Sequence, residues 1–385
     1  MRTGILIVLV MLLFSFLAAA PPQVSNVSFS QRTDGSKIVD IYYDLADEDN
    51  DPCTVSLSLS SDGGATFSII PDPGLLTGDA GAGVEPGTGR HIVWHTAYEP
   101  YLLDGENYRF MVTADDGTPP EVPANFVLIP ARTFTMGRTQ GDGDADELPP
   151  HLVTLSAYSI SKYEVTQGEW EAIMGYNPAT GNGVGPNHPV HDISWYAILK
   201  YCNLRSMAEG YTPCYSIYDS TDPADWGDVP PYEVPDWNAV QCDWAVNGYR
   251  LPTDAEWELA ARGGSDYPDY LYSGSNVIGD VAWYGGNDTT YGCKPVGTKA
   301  PNAIGIHDMS GNLWEYCWDW QDFFPGYPEV NPTGPETGFL KVARGGYWLS
   351  LPPQCRVYER SGYYAFSGSM WMGFRLAKSY PYPTD

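Results

Sequence analysis

Positive charge is scarce in this 385-residue chain: 20 Lys and Arg stand against 48 Asp and Glu, a formal charge of −28. Nucleic-acid phosphates are held by clustered basic side chains, so this balance argues against DNA or RNA as a partner. Histidine is sparse too, with six residues. The His188-x-x-His191 pair contains Pro189 and lacks the flanking glutamate of a zinc-protease helix. No G-x-S-x-G, Walker or G-x-G-x-x-G pattern occurs in a strand–helix setting. Cysteines number seven, and the odd count leaves at least one thiol without an intrachain partner. After the first twenty residues no apolar run approaches the ~20 residues a bilayer span requires.

What is present is a folded, loop-rich composition. Hydrophobic residues make up 43% and aromatic residues 14%, alongside 41 Gly and 33 Pro. That excludes a disordered chain and points to one large or two ordinary domains, poor in long helices. Met1-Arg2, the apolar stretch Ile5 to Leu17 and Ala18-Ala19-Ala20 have the order of a secretory signal peptide over residues 1–20. No cysteine follows that could carry a lipid. The mature chain is therefore expected to be secreted or periplasmic, in an oxidising compartment where cysteines can pair.

Residues 21–123 read as a β-sandwich resembling immunoglobulin-like or fibronectin-type modules. Val24 to Phe29, Ile38 to Leu45, Thr54 to Leu59, His91 to Trp94 and Tyr108 to Thr113 have strand character between Gly/Asp turns. Asp47, Glu48, Asp49 and Asp51 form an acidic loop without EF-hand spacing, which reads as a solvated turn. Asp115-Asp116-Gly117 and Pro119-Pro120 mark an exit into a linker. Residues 124–380 form the second region. Helices are predicted over Val165–Met174, Ser194–Ala208 and Thr253–Arg262; the last opens on a Thr253/Glu256 capping box and stops at Gly263-Gly264. Strands are expected at Thr133–Met136, Ser159–Tyr163 and Phe374–Ala377. The overall class is α+β. Arg250, Arg262, Arg344 and Arg375 lie beside Glu256, Glu258 and Glu315 and are expected to pair with such acids.

Motifs in this second region occur in a set order. They are Phe134-Thr135-Met136-Gly137, Tyr163-Glu164-Val165-Thr166, His188-Pro189-Val190, and the stretch Tyr249-Arg250-Leu251-Pro252-Thr253-Asp254-Ala255-Glu256-Trp257-Glu258. Asp308-Met309-Ser310-Gly311-Asn312-Leu313-Trp314-Glu315 follows, then Arg344-Gly345-Gly346 and Gly373-Phe374-Arg375-Leu376. Together they resemble the sulfatase-modifying-factor, or formylglycine-generating-enzyme, family over about 250 residues. The resemblance implies a loop-rich variant of the C-type lectin fold, and a calcium ion held by Asp308, Gly311, Leu313 and Glu315. Two carboxylates, two carbonyls and water suit that ion; the structural alternative is that Glu315 binds an arginine. The family's other calcium site expects Asn where this chain has Trp283.

The family's oxidases turn a client cysteine into an aldehyde with O₂, using two cysteines that bind Cu(I), for which soft thiolates are suited. Carried over by position, Cys355 is the second of these, but Ser350 stands at the first and Tyr347 replaces a serine of the oxygen site. Trp314 matches an active-site tryptophan. If the chain is active, Cys355 and Trp314 are its catalytic candidates, but one thiol cannot make the pair and copper is not expected. Members with this spacing often carry a cysteine where Cys317 lies, so the resemblance implies a Cys317–Cys355 disulfide; a similar argument pairs Cys214 with Cys242. Closing the Cys214–Cys242 loop would remove roughly 3–4 kcal/mol of unfolded-chain entropy. A Cys202–Cys293 bond has no motif behind it, and Cys53 reads as a buried thiol. The leading expectation is a non-oxidase binding or structural module for a protein or cell-surface ligand, with no membrane span after signal cleavage. The alternative is a protein-cysteine oxidase that generates formylglycine in sulfatases.

Overall fold

The computed structural model describes residues 22–47, 50–60, 69–99, 108–116, 122–265 and 268–379. Residues 1–20, read above as a signal peptide, Glu48 and Asp49 of the acidic loop, and residues 117–121, where a linker was expected, lie outside them. The chain divides into two compact units, with the boundary between Glu121 and Val122.

The first unit is all β. Its strands are β1 (Gln23–Gln31), β2 (Ile38–Ala46), β3 (Cys53–Ser60), β4 (Leu76–Gly78), β5 (Gly81–Val84), β6 (Gly87–His95) and β7 (Arg109–Asp115). They form two antiparallel sheets, ordered β1-β2-β6-β4 and β5-β3-β7. Period-two patterning sends alternate side chains inward. Ile41, Tyr43 and Leu45 of β2 meet Val55, Leu57 and Leu59 of β3 in one apolar core with Ile92 and Trp94. Phe110 of β7 lies 4.3 Å from Phe29 of β1 and 6.2 Å from Trp94 of β6, ring centroid to centroid, so aromatic contacts join the two sheets. At the acidic loop, the Asp47 carboxylate accepts the Asp51 amide at 2.7 Å.

The second unit has α1 (Gln167–Met174), α2 (Trp195–Ala208), the single turns α3 (Pro235–Asn238) and α5 (Ile278–Val281), and between these α4 (Asp254–Ala261). The α4 capping box is formed as expected: Thr253 accepts the Glu256 amide and Glu256 accepts the Thr253 amide. A second box, Thr166/Glu169, starts α1 and ends it on left-handed Gly175. Because Thr166 is the cap, Val165 is outside the helix. Ser194 caps α2.

Among the described residues this unit has four small sheets, the smallest pairing Tyr215–Ser216 with Gln241–Cys242. Tyr249–Arg250, Ala377–Ser379, Tyr158–Ser161 and Phe126–Ile129 lie side by side in that order, so the end of the domain is hydrogen-bonded beside its beginning. A second sheet is ordered Arg360–Tyr363, Lys341–Arg344, Trp314–Trp320, Met372–Gly373, and a third Glu329–Val330, His151–Leu155, Arg132–Met136. One expectation needs correction. The last strand begins at Ala377, because Phe374 and Leu376 bond individually to Val165 and Ser161. Trp314–Trp320, which no sequence pattern marked, is a strand; it is covered on both faces, so it shows no polar alternation.

Beside its two large apolar clusters, this unit carries a buried network of arginines. Arg250 forks onto Glu256 at 2.6 and 2.7 Å. Arg344 bonds Asp254 and Glu258, Arg360 bonds Asp254, and Arg262 bonds Glu258 and Asp269. These planar, bidentate partners tie the chain's distant segments to α4. Lys341 is also buried: its ammonium donates to the Trp318 carbonyl at 2.8 Å and lies 3.8 Å from the Trp320 ring centroid and 3.9 Å from that of Trp195.

Candidate functional site

The Asp308–Glu315 loop is shaped by left-handed backbone at Asp308, Gly311 and Asn312. Gly311 is required at its place: a Cβ there would lie 2.1 Å from the Trp283 carbonyl oxygen. The amides of Gly311, Asn312 and Trp348 donate to the carbonyls of Gly345, Trp283 and Asn312. The loop is thereby stitched to the 344–350 turn.

Its carboxylates have different fates. Glu315 is fully buried, and both its oxygens accept from Arg375 at 2.6 Å; Trp257 Nε1 adds a third bond at 2.7 Å. Glu164 accepts the Asn312 side chain at 2.6 Å and the Leu313 amide at 3.0 Å. Burial first, then Asp308 and Glu315, push the Glu164 carboxyl well above its ordinary value. Asp308 accepts the Gly297 amide through Oδ2, while Oδ1 is buried without a hydrogen-bond partner. Burial lifts this carboxyl to about 6.

Calcium fits this loop only in part. Asp308 Oδ1 is free to coordinate a hard cation. Glu315 is not, because a guanidinium already supplies its counter-charge and two donors. The arginine alternative for Glu315 is thus the one observed. Glu164 was not foreseen as part of the site, although Tyr163-Glu164-Val165-Thr166 stood among the motifs.

The Arg344–Cys355 stretch places its residues against thiolate chemistry. Ser350 is buried, and its Oγ accepts the Tyr347 amide at 3.0 Å. The hydroxyl thus closes the turn where the family's first cysteine would lie. Cys355 is buried beneath Gly346: a Cβ on Gly346 would come within 2.8 Å of Sγ and 2.6 Å of the Gln354 carbonyl. Burial pushes the Cys355 thiol up to about 12, so it stays protonated at neutral pH. One protonated thiol beside a capping serine does not fit a copper pair. Trp314 is buried in the large apolar core, with its amide bonded to the Trp371 carbonyl at 2.9 Å.

The expected Cys317–Cys355 disulfide is absent. Cys317 packs in the core with Trp257 and Val342, whereas Cys355 packs with Tyr272 and Val281, so their side chains serve different clusters. Cys214 and Cys242 are neighbours on a two-stranded ladder that pairs Tyr215 with Cys242, and the Cys214 carbonyl accepts the Asp243 amide; both are thiols.

Two chains of aromatic rings reach the surface, the first of them from the 344–355 stretch. One runs Tyr291–Trp348–Tyr347–Trp371 with centroid spacings of 6.4, 5.6 and 6.0 Å. The other runs Phe339–Tyr364–Phe366 at 5.2 and 5.4 Å. Tyr291, Phe339 and Tyr364 are exposed.

Comparison with known proteins places this geometry. The chain is 39% identical over 215 residues to a chaperone protein, LppX, of Paenibacillus barcinonensis, covering 51% of this chain and 71% of that one. It is 30% identical over 306 residues to the formylglycine-generating enzyme of Thermomonospora curvata, covering 68% and 95%. Among solved structures, Treponema denticola variable protein 1 superimposes with a TM-score of 0.60 at 33% identity, over 66% of this chain and 95% of that one. The Sulfatase-modifying factor enzyme 1-like domain profile matches residues 114–380. The chain therefore belongs to the FGE-sulfatase family.

Proposed function

We propose that this protein is an exported, non-oxidase member of its family, a module that binds a protein or cell-surface ligand. The observation that carries the reading is the 347–355 turn. Ser350 spends its oxygen on the Tyr347 amide, and the remaining thiol, Cys355, is protonated and covered by Gly346. The two aromatic chains supply contact area of the kind binding surfaces use, with little side-chain entropy to lose. That a relative is titled a chaperone is consistent with non-oxidase use of this domain. Among the described residues no helix is long and apolar enough to cross a membrane. Export itself rests on the residue 1–20 pattern.

The test is a Cu(I) titration of the purified chain with a sulfatase-derived cysteine peptide under O₂. The expected result is no aldehyde and no copper–thiolate signal. Aldehyde formation would establish the oxidase reading, which the similarity to formylglycine-generating enzymes favours. Calcium in the 308–315 loop is part of the proposal, and its weight rests on Asp308. Chelation should lower the melting temperature, and Asp308→Asn should abolish that response to calcium.

A further inference from the structure

Four strands stand at the edges of the sandwich's two sheets, β1 and β4 in one and β5 and β7 in the other. An edge strand offers unpaired amides and carbonyls to another chain, and folded proteins protect such edges by keeping them short or by charging them. Three of the four follow that rule. β4 has three residues, β5 has four of which two are glycine, and β7 carries Arg109 and Asp115 at its ends. β1 does not. Its nine residues, Gln23–Gln31, include no charged side chain and no proline, in a chain whose formal charge is −28. Among the described residues it pairs within its sheet with β2 alone.

One bulge interrupts the strand. The register steps between Ser25 and Ser28, where Asn26 has a φ of 55°. Beyond it, Ser28 to Gln31 run in unbroken register against Tyr42 to Val39. Those partners fix the faces. Phe29 lies opposite Ile41, on the core side of the sheet, and Ser28 and Ser30 lie opposite Tyr42 and Asp40 on the other side. Phe29 is nevertheless 50% exposed, at the rim where its ring meets Phe110 of the second sheet. A phenylalanine that faces a core and stays half in water, on an uncharged edge, marks a seam that a further strand would close.

We propose that β1 is the contact strand of a homodimer, in which two copies pair antiparallel through this edge and join their four-stranded sheets into one. A two-fold axis perpendicular to the sheet keeps core face beside core face, and a slip by one residue would set Phe29 against an outward position. Of the registers that obey this, the one centred on Phe29 covers both copies of its ring with apolar surface. Ser28 then lies opposite Ser30 of the partner subunit. No like charges meet across the seam, because Ser28 to Gln31 are neutral and Arg32 just beyond them is engaged by Asp40 at 2.8 Å. A seam of a few residue pairs is small, so the dimer dissociates on dilution. Each pair carries two family domains, so on the binding-module reading a repetitive ligand is held at two points; the pairing itself does not depend on that reading.

The experiment is sedimentation velocity on the full chain from micromolar to about millimolar concentration, with circular dichroism showing that each variant is folded. The expected result is a monomer–dimer equilibrium that stops at two copies, because pairing uses up the edge. Ser28→Lys/Ser30→Lys, on exposed positions, sets ammonium groups against one another across the seam and should weaken the dimer about tenfold. Mild oxidation of concentrated Phe29→Cys and Ser28→Cys, with wild type as the blank, then reads the register. The two-fold axis puts position 29 beside itself and position 28 away from itself, so Phe29→Cys should crosslink about tenfold faster. A chain still monomeric at about 1 mM, a dimer unchanged in the folded lysine variant, assembly that grows past two copies, or equal crosslinking from the two cysteine variants would each overturn the pairing.

Discussion

The two units differ in what they add to an apolar core. The sandwich buries Ile41, Leu57, Leu59, Ile92 and Trp94, and among its described residues Asp40, paired with Arg32, is the one buried charge. The family domain buries Glu258, Glu315, Arg344 and Arg375 almost completely and satisfies each with a specific partner. Apolar packing is non-directional and tolerates exchange of one side chain for another of similar volume. A buried ion pair is directional: it contributes little net stability against an apolar isostere, but loss of one member leaves the other stranded. The first unit should therefore degrade gradually under substitution, and the second abruptly.

Four measurements would break or sharpen that contrast. Arg375→Met strands Glu315 beside Trp257 and should cost about 3–5 kcal/mol in denaturant unfolding of the family domain. A loss under 1 kcal/mol would show that the arginine network is decorative. In the sandwich, Leu57→Ala should cost about 2–5 kcal/mol through its cavity, without altering the pH profile.

Acid and base responses come next. Burial works to raise Asp254, but Arg344 and Arg360 outweigh it and hold the carboxyl below its ordinary value. Its contribution is present above the unfolded value of about 3.9 and lost as pH falls through the folded one. The Glu359 carboxyl, raised by burial, has the opposite sign. The folded state holds a proton that the unfolded chain releases, so stability falls as pH rises from about 4.3 toward the folded value of about 8. Glu359→Gln should flatten that fall, which for one proton approaches about 1.4 kcal/mol per pH unit. In the sandwich, Asp40 is held down at about 2 by its hydrogen bonds to Arg32, so acid alone should trouble it. The smallest effect is Thr253→Ala, which removes one cap of α4 and should cost about 1 kcal/mol.

Much of this arrangement was legible in the residues. The T-x-x-E box fixed the start of α4, and period-two runs located β1, β2, β3, β6 and β7. That the motif arginines would pair was readable from their scarcity; which acids they chose was not. Arg344 reaches back 90 residues to Asp254, a distance that local pattern does not encode. Trp314–Trp320 escaped because burial on both faces erases alternation, and the register of its neighbours decides that it is a strand. The expected Cys317–Cys355 bond is not formed, because the two side chains pack in different clusters that matching loop positions do not reveal.

The lysine held among tryptophans has an optical consequence. Trp195, Trp318 and Trp320 surround an amine, and ejecting it on unfolding changes both the quenching and the polarity of three indoles at once. The first 121 residues contain a single tryptophan, Trp94. With Trp94→Phe, emission reports the family domain alone, and the difference from wild type reports the sandwich. The protein thus carries a built-in pair of fluorescent gauges, one for each unit.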